Sequence, residues 1–203
     1  MPLSDGTVRK GRDMRILCFG DSNTFGFDPR GFFGGRYSED CRWPEVLGAL
    51  SGHEVINEGQ NGRTVPHRER DVALFCGTLK NTRPDLLIIM LGTNDLLAGF
   101  TPEDAVRRMD GLLNHVPDGI KVLLVAPPAI TRGEWVADER TIQGVHSFAE
   151  LYRELADRRG LLFFEAGDLP ISHDGVHLSA EGSRQLGQRL WGFLRETANW
   201  EEI

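Results

Sequence analysis

Cysteine is scarce in this chain. Cys18, Cys41 and Cys76 are all that occur among 203 residues, an odd number at wide spacing. Neither a disulfide framework nor a zinc ribbon follows from that pattern. Cys18 sits inside an apolar run and reads as a small buried hydrophobe. Long hydrophobic runs are missing too, and no apolar stretch approaches the length of a membrane span. No run of like charges marks a tail or a membrane patch. Positive charge is in deficit: 23 Lys plus Arg face 30 Asp plus Glu, a net charge of −7. An acidic surface repels phosphate backbones, which disfavours a nucleic-acid partner. The opening MPLSDGTVRKGRD is polar and holds no apolar stretch of a signal peptide. The expectations are a flexible N-terminal tail over residues 1–13, one domain over 14–203, and a soluble cytoplasmic protein with no membrane partner.

What the chain does have is a regular alternation. Short apolar runs stand at 15–20 (RILCFG), 54–57 (EVIN), 85–92 (DLLIIMLG), 121–126 (KVLLVA) and 161–165 (LLFFE). Near-continuous apolar segments fit strands buried on both faces, as in a parallel sheet. Helical patterns lie between or after them, at 43–50, 69–81, 102–115, 139–159 and 180–196. Thr101 with Pro102, Glu103 and Asp104 supplies an N-cap, a proline and first-turn acids, and Ser179 is a second N-cap. The pattern predicts an α/β fold with a five-stranded parallel sheet and helices on both faces. Two stretches fit no element: 25–42, rich in Gly and aromatics, and 127–138. Both follow strands, and ligands of open α/β sheets bind at the carboxyl ends of the strands.

The residues after each strand therefore matter most. "GDSN" (20–23) follows the first, "NEGQNGRT" (57–64) the second and "GTND" (92–95) the third. "HDGVH" (173–177) precedes the last helix. Each alone is ordinary loop vocabulary. A lone Ser22 reads first as a helix cap or a turn residue. To attack, a serine needs a base, and the base needs a third group to orient it. Of six histidines, His177 stands three residues after Asp174, close enough for a curled turn to pair them. Its far nitrogen would then be free for Ser22. A metal site at His173, Asp174 and His177 is the rival, but no further Cys, His or Glu pair supports it. Attack on an ester also needs donors for the oxyanion. Gly62 N–H, the Asn94 amide and Ser22 N–H are the candidates, with Gly59 a rival to Gly62.

Together the four blocks resemble those of the SGNH or GDSL-type hydrolases: Gly-Asp-Ser, a loop glycine, Gly-x-Asn-Asp and Asp-x-x-His. The resemblance runs from about residue 15 to residue 195. It implies Ser22 as nucleophile, Asp174 and His177 as its triad partners, and Ser22, Gly62 and Asn94 as oxyanion donors. It also implies a flavodoxin-like, three-layer α/β/α sandwich. "RILCFGDS", "EVINEG", "DLLIIMLGTND" and "KVLLVAPP" look like the arylesterase and acyltransferase–perhydrolase branch, whose members form oligomers; that resemblance implies a homo-oligomer. The chain departs from the perhydrolase pattern at Asn23, Thr24 and Phe25.

The activity this implies is hydrolysis of short-chain aryl or alkyl esters through an acyl-enzyme, with a small-molecule ester as partner and no metal or cofactor. Sugar O-deacetylation and acyl transfer or perhydrolysis are alternatives on the same site. Asn23, Phe25, Phe27 and Trp135 are candidate substrate contacts, with Phe32 and Phe33 in the same loop as Phe25 and Phe27. A flavodoxin-like binding module is the non-enzymatic rival. No Lys follows the fifth strand for a phospho-receiver, and "GFFGGR" comes too late after the first strand to cradle a phosphate.

Overall fold

The computed structural model describes residues 13–31, 34–136 and 138–197. Residues 1–12 of the expected 1–13 tail and the aromatics Phe32 and Phe33 lie outside the described residues.

The chain opens with β1 (Arg15–Gly20), a single turn α1 (Ser22–Phe25) and a short antiparallel pair, β2 (Phe27–Asp28) and β3 (Gly35–Arg36). Then follow α2 (Trp43–Ser51), β4 (Glu54–Gly59), α3 (Glu69–Thr82), β5 (Leu86–Met90) and α4 (Thr93–Leu97). The last third holds α5 (Pro102–Leu113), β6 (Lys121–Ala126), α6 (Glu139–Arg159), β7 (Leu162–Glu165) and α7 (Ala180–Glu196). Five strands form one parallel sheet in the order β4-β1-β5-β6-β7.

Alternation along β1 divides the core. Leu17 and Phe19 face α3, α5 and α6, packing with Phe75, Met109, Phe148 and Tyr152. Ile16 and Cys18 face α2 and α7, packing with Trp43, Leu47, Leu186 and Leu190. The result is a three-layer α/β/α sandwich. Each fully buried Leu or Ile is worth about 2 kcal/mol of desolvation. The helix ends carry the expected chemistry: Thr101 and Asp104 form a reciprocal capping box on α5, and the Ser179 hydroxyl accepts from Gly182 N–H.

Three details differ from the sequence reading. Only β1, β5 and β6 are buried on both faces; β4 and β7 are edge strands and half-buried. β4 runs two residues beyond the expected Asn57, because Glu58 and Gly59 pair with Phe19 and Gly20. Part of the irregular 25–42 stretch is the small β2–β3 pair, which a two-residue strand length hides from any periodicity. No helix among the described residues is long and apolar enough to cross a membrane.

The order of strands reverses between β1 and β5, the switch point at which open α/β sheets bind ligands. Ser22 leaves β1 and Asn94 leaves β5, so both stand at that point.

Candidate active site

Ser22 is the first residue of α1, directly after β1. Asp21 caps that turn, its Oδ1 accepting from Asn23 N–H at 2.9 Å. Gly59 lets α1 lie against β4: a Cβ there would fall 2.0 Å from the Phe25 nitrogen. The nucleophile candidate is thus held on backbone rather than on a free loop.

His177 and Asp174 belong to the loop before α7, closed by a bridge between Ile171 and Leu178. His177 Nε2 lies 2.9 Å from Ser22 Oγ, and His177 Nδ1 lies 2.6 Å from Asp174 Oδ2. The carboxylate can only accept, so Nδ1–H donates to it and Nε2 is left to accept from the Ser22 hydroxyl. Asp174 Oδ1 accepts from the N–H groups of Val176 and His177, each at 3.0 Å. Burial opposes the charge on Asp174. The hydrogen bonds from the His177 N–H, its imidazole and the Val176 N–H outweigh it, and the carboxyl titrates below its ordinary value. Ser22, Asp174 and His177 are 6%, 1% and 3% exposed, so their polar bonds form in a low dielectric. The imidazole is also walled in. The Phe27 ring lies 4.6 Å from it and the Trp135 ring 5.1 Å, centroid to centroid.

The oxyanion candidates converge on the same edge. Gly62 sits exposed in an open loop with φ +72°, with nothing within 4 Å of a would-be Cβ. Gly59 is no rival for that part, since its N–H already donates to Asn57 Oδ1 at 3.0 Å. Among the described residues neither Ser22 N–H nor Gly62 N–H has an acceptor. Asn94 Nδ2 reaches Arg63 O at 3.2 Å and Asp21 Oδ2 at 3.4 Å, which holds the amide beside the turn that carries Ser22. Both contacts are long, so a developing oxyanion can compete for those hydrogens.

Two of the candidate substrate contacts have partners within the protein. Asn23 is 4% exposed, and both ends of its amide bind the backbone on either side of His177. Phe25 stands under the Arg36 guanidinium, 4.4 Å from the ring centroid, and its carbonyl accepts from Arg36 Nε. Phe27 and Trp135 do flank the imidazole. Among the described residues no group of three or more His, Cys, Asp or Glu is arranged to hold a metal ion.

Several supporting residues carry no signal in the sequence beyond standing within the blocks. Arg63 braces the Gly62 loop, donating to Gly20 O at 2.8 Å and also to Glu58 O, with its guanidinium 4.0 Å from the Phe19 ring centroid. Asp95 is fully buried, accepting from Val65 N–H at 2.9 Å and from Arg108 at 2.7 Å. Asp21 is 2% exposed. Burial pushes its carboxyl up to about 7, against the Asn23 N–H bond and the Arg63 charge.

A family model described as the GDSL-like lipase/acylhydrolase family matches residues 18–185. The chain belongs to this family. That places it among carboxylic ester hydrolases of the SGNH type, and the three-layer fold agrees. Among solved structures, a protein of Agrobacterium tumefaciens provisionally named an arylesterase is 36% identical, with a TM-score of 0.81 over 90% of this chain and 99% of its own. The M. smegmatis aryl esterase is 31% identical with a TM-score of 0.80, over 90% of this chain and 98% of that one. A carbohydrate acetylesterase family member from Sinorhizobium meliloti is 30% identical with a TM-score of 0.80, over 94% of this chain and all of that one. A curated acetylxylan esterase of Xylanibacter ruminicola is 23% identical over 86% of this chain; this chain spans 42% of that protein's length.

Proposed function

We propose that this GDSL-family protein is a serine esterase acting on short-chain acyl esters through a Ser22–His177–Asp174 triad. The observation that carries it is the unbroken chain of contacts from the Ser22 hydroxyl through the imidazole to the carboxylate, at 2.9 and 2.6 Å. In the cycle, Ser22 Oγ attacks the ester carbonyl carbon as His177 Nε2 takes its proton. Asp174 holds the imidazole and stabilises its charged form. Ser22 N–H, Gly62 N–H and the Asn94 amide receive the oxyanion, each donor worth roughly 3–4 kcal/mol in the transition state. The tetrahedral adduct collapses, His177 gives the proton to the leaving alcohol, and an acyl-Ser22 ester remains. Water then attacks that ester, His177 again taking the proton, and the acid and free Ser22 are released. The Phe27 and Trp135 rings crowd the imidazole and favour a small acyl group.

A sugar acetyl ester is the second reading. Trp135 is 56% exposed and shares a cleft with Arg30, Glu134 and His173, an indole face ringed by hydrogen-bonding groups. Such a surface suits a sugar ring, and the Sinorhizobium and Xylanibacter relatives are named for sugar esters.

The decisive experiment is labelling with an organophosphonate followed by peptide mass spectrometry. Modification of Ser22, and loss of turnover in folded Ser22→Ala and His177→Ala, is the expected result. Near-wild-type turnover in either variant would overturn the triad. A ladder of p-nitrophenyl esters from acetate upward, set beside acetylated xylan, separates acyl length from sugar recognition.

A further inference from the structure

Asn23, the residue after the nucleophile candidate, has a part that the family blocks do not describe. It sits on α1, yet its side chain is spent on the loop that carries His177. Asn23 Oδ1 accepts from Leu178 N–H at 2.8 Å, and Asn23 Nδ2 donates to Val176 O at 3.3 Å. The amide orientation follows from its partners, since a backbone N–H can only donate and a carbonyl only accept. The two contacts bracket residue 177 on both sides, as a peptide group of a neighbouring strand would. Among the described residues the only other polar link between α1 and that loop is the Ser22–His177 bond itself.

We infer that Asn23 is a positioning residue: it clips the base-bearing loop to the nucleophile's own turn and so sets the separation of Ser22 Oγ from His177 Nε2. Three observations carry this. Both ends of the Asn23 amide are taken up by protein backbone. Its partners are the backbone groups on either side of His177. And residues 22 and 23 share one helical turn whose backbone is pinned by the Asp21 cap and by Gly59, so the clip works from a fixed point. Loop and turn are more than 150 residues apart in sequence, and Asn23 joins them directly at the two peptide groups that flank His177. Proton transfer is steep in distance, and misplacing a reacting group by an ångström can cost about a hundredfold in rate.

This inference rests on the triad reading, and its test keeps the two apart. Wild type, Asn23→Asp, Asn23→Ser and Asn23→Leu are compared with p-nitrophenyl acetate at a temperature where each is shown folded by circular dichroism. The rate of Ser22 phosphonylation by a small organophosphonate is measured alongside. The expected result is kcat lowered about tenfold or more in Asn23→Ser and Asn23→Leu, KM within about threefold of wild type, and phosphonylation slowed in step with kcat. Asn23→Asp keeps the acceptor for Leu178 N–H and falls between. A raised KM with kcat kept means Asn23 touches substrate and overturns the inference. A lower melting temperature with unchanged kcat and labelling rate assigns it to folding alone and also overturns it. Asn23→Ser, small and polar, carries the test if Asn23→Leu does not fold. Absence of label on wild-type Ser22 would instead sink the triad, and this inference with it.

Discussion

The buried Asp21 makes a quantitative prediction. Its carboxyl lies directly before Ser22 and is pushed from 3.8 up to about 7, chiefly by burial, with Asp95 adding to the effect and Arg63 opposing it. In the unfolded chain the proton leaves near the ordinary value. Between those limits the native state binds the extra proton, so stability falls as pH rises. About three pH units at 1.36 kcal/mol each amount to about 4 kcal/mol of destabilisation, complete by about pH 8. Asp21→Asn removes the titration. It keeps a side-chain oxygen to accept from Asn23 N–H, and Asn is a good N-cap. The assay is urea unfolding of both proteins from pH 4 to pH 8. The stability of Asp21→Asn minus wild type should rise by about 4 kcal/mol across that range, other titrating groups cancelling in the difference. A flat difference would refute the reasoning. The variant should also be the slower enzyme, because an amide at position 21 sets a donor against the Asn94 amide that the Asp21 carboxylate now accepts from. A charge held at a cost beside the nucleophile is the pattern expected where function and stability compete.

Asp174 runs the opposite way. Its carboxyl titrates below the ordinary value, so its contribution to stability is present above about pH 4 and is lost as pH falls further. Asp174→Asn should leave a folded protein with kcat down by roughly 10⁴, the imidazole no longer held with its proton on Nδ1, as seen by steady-state hydrolysis of p-nitrophenyl acetate. Gly133→Ala should lower both kcat and the melting temperature, at a cost of about 1–3 kcal/mol. A Cβ there would fall 2.3 Å from the Asp174 carbonyl carbon, and Trp135 N–H donates to that residue's oxygen, so the aromatic wall and the acid's loop shift together.

Much of the architecture is legible because the strands of the parallel sheet are apolar runs and the longer helices periodic ones, both properties of neighbouring residues. The pattern ends β4 too early because Glu58 and Gly59 look like a loop; they extend the strand only through their pairing with β1. The four polar blocks are legible as well, since three follow strands directly and the fourth stands just before the last helix. The parts of Asn23 and Phe25 are not. Asn23 is a candidate substrate contact because the chain departs there from the perhydrolase pattern, whereas its partners, Val176 and Leu178, flank His177. Phe25 pairs with Arg36, eleven residues on.

The sequence alone determined that a parallel sheet would form and which polar residues would gather at its carboxyl edge. Burial free energy depends on the kind of residue and its local period, and both are written along the chain. Which polar atom meets which is a matter of the folded chain: His177 with Ser22, Asn23 with the backbone around His177, and Asn94 beside Asp21. Hydrogen bonds are short and directional, so their pairing is set by where two distant segments come to rest. The same is true of the charge on Asp21, whose ease of ionisation comes from what covers it.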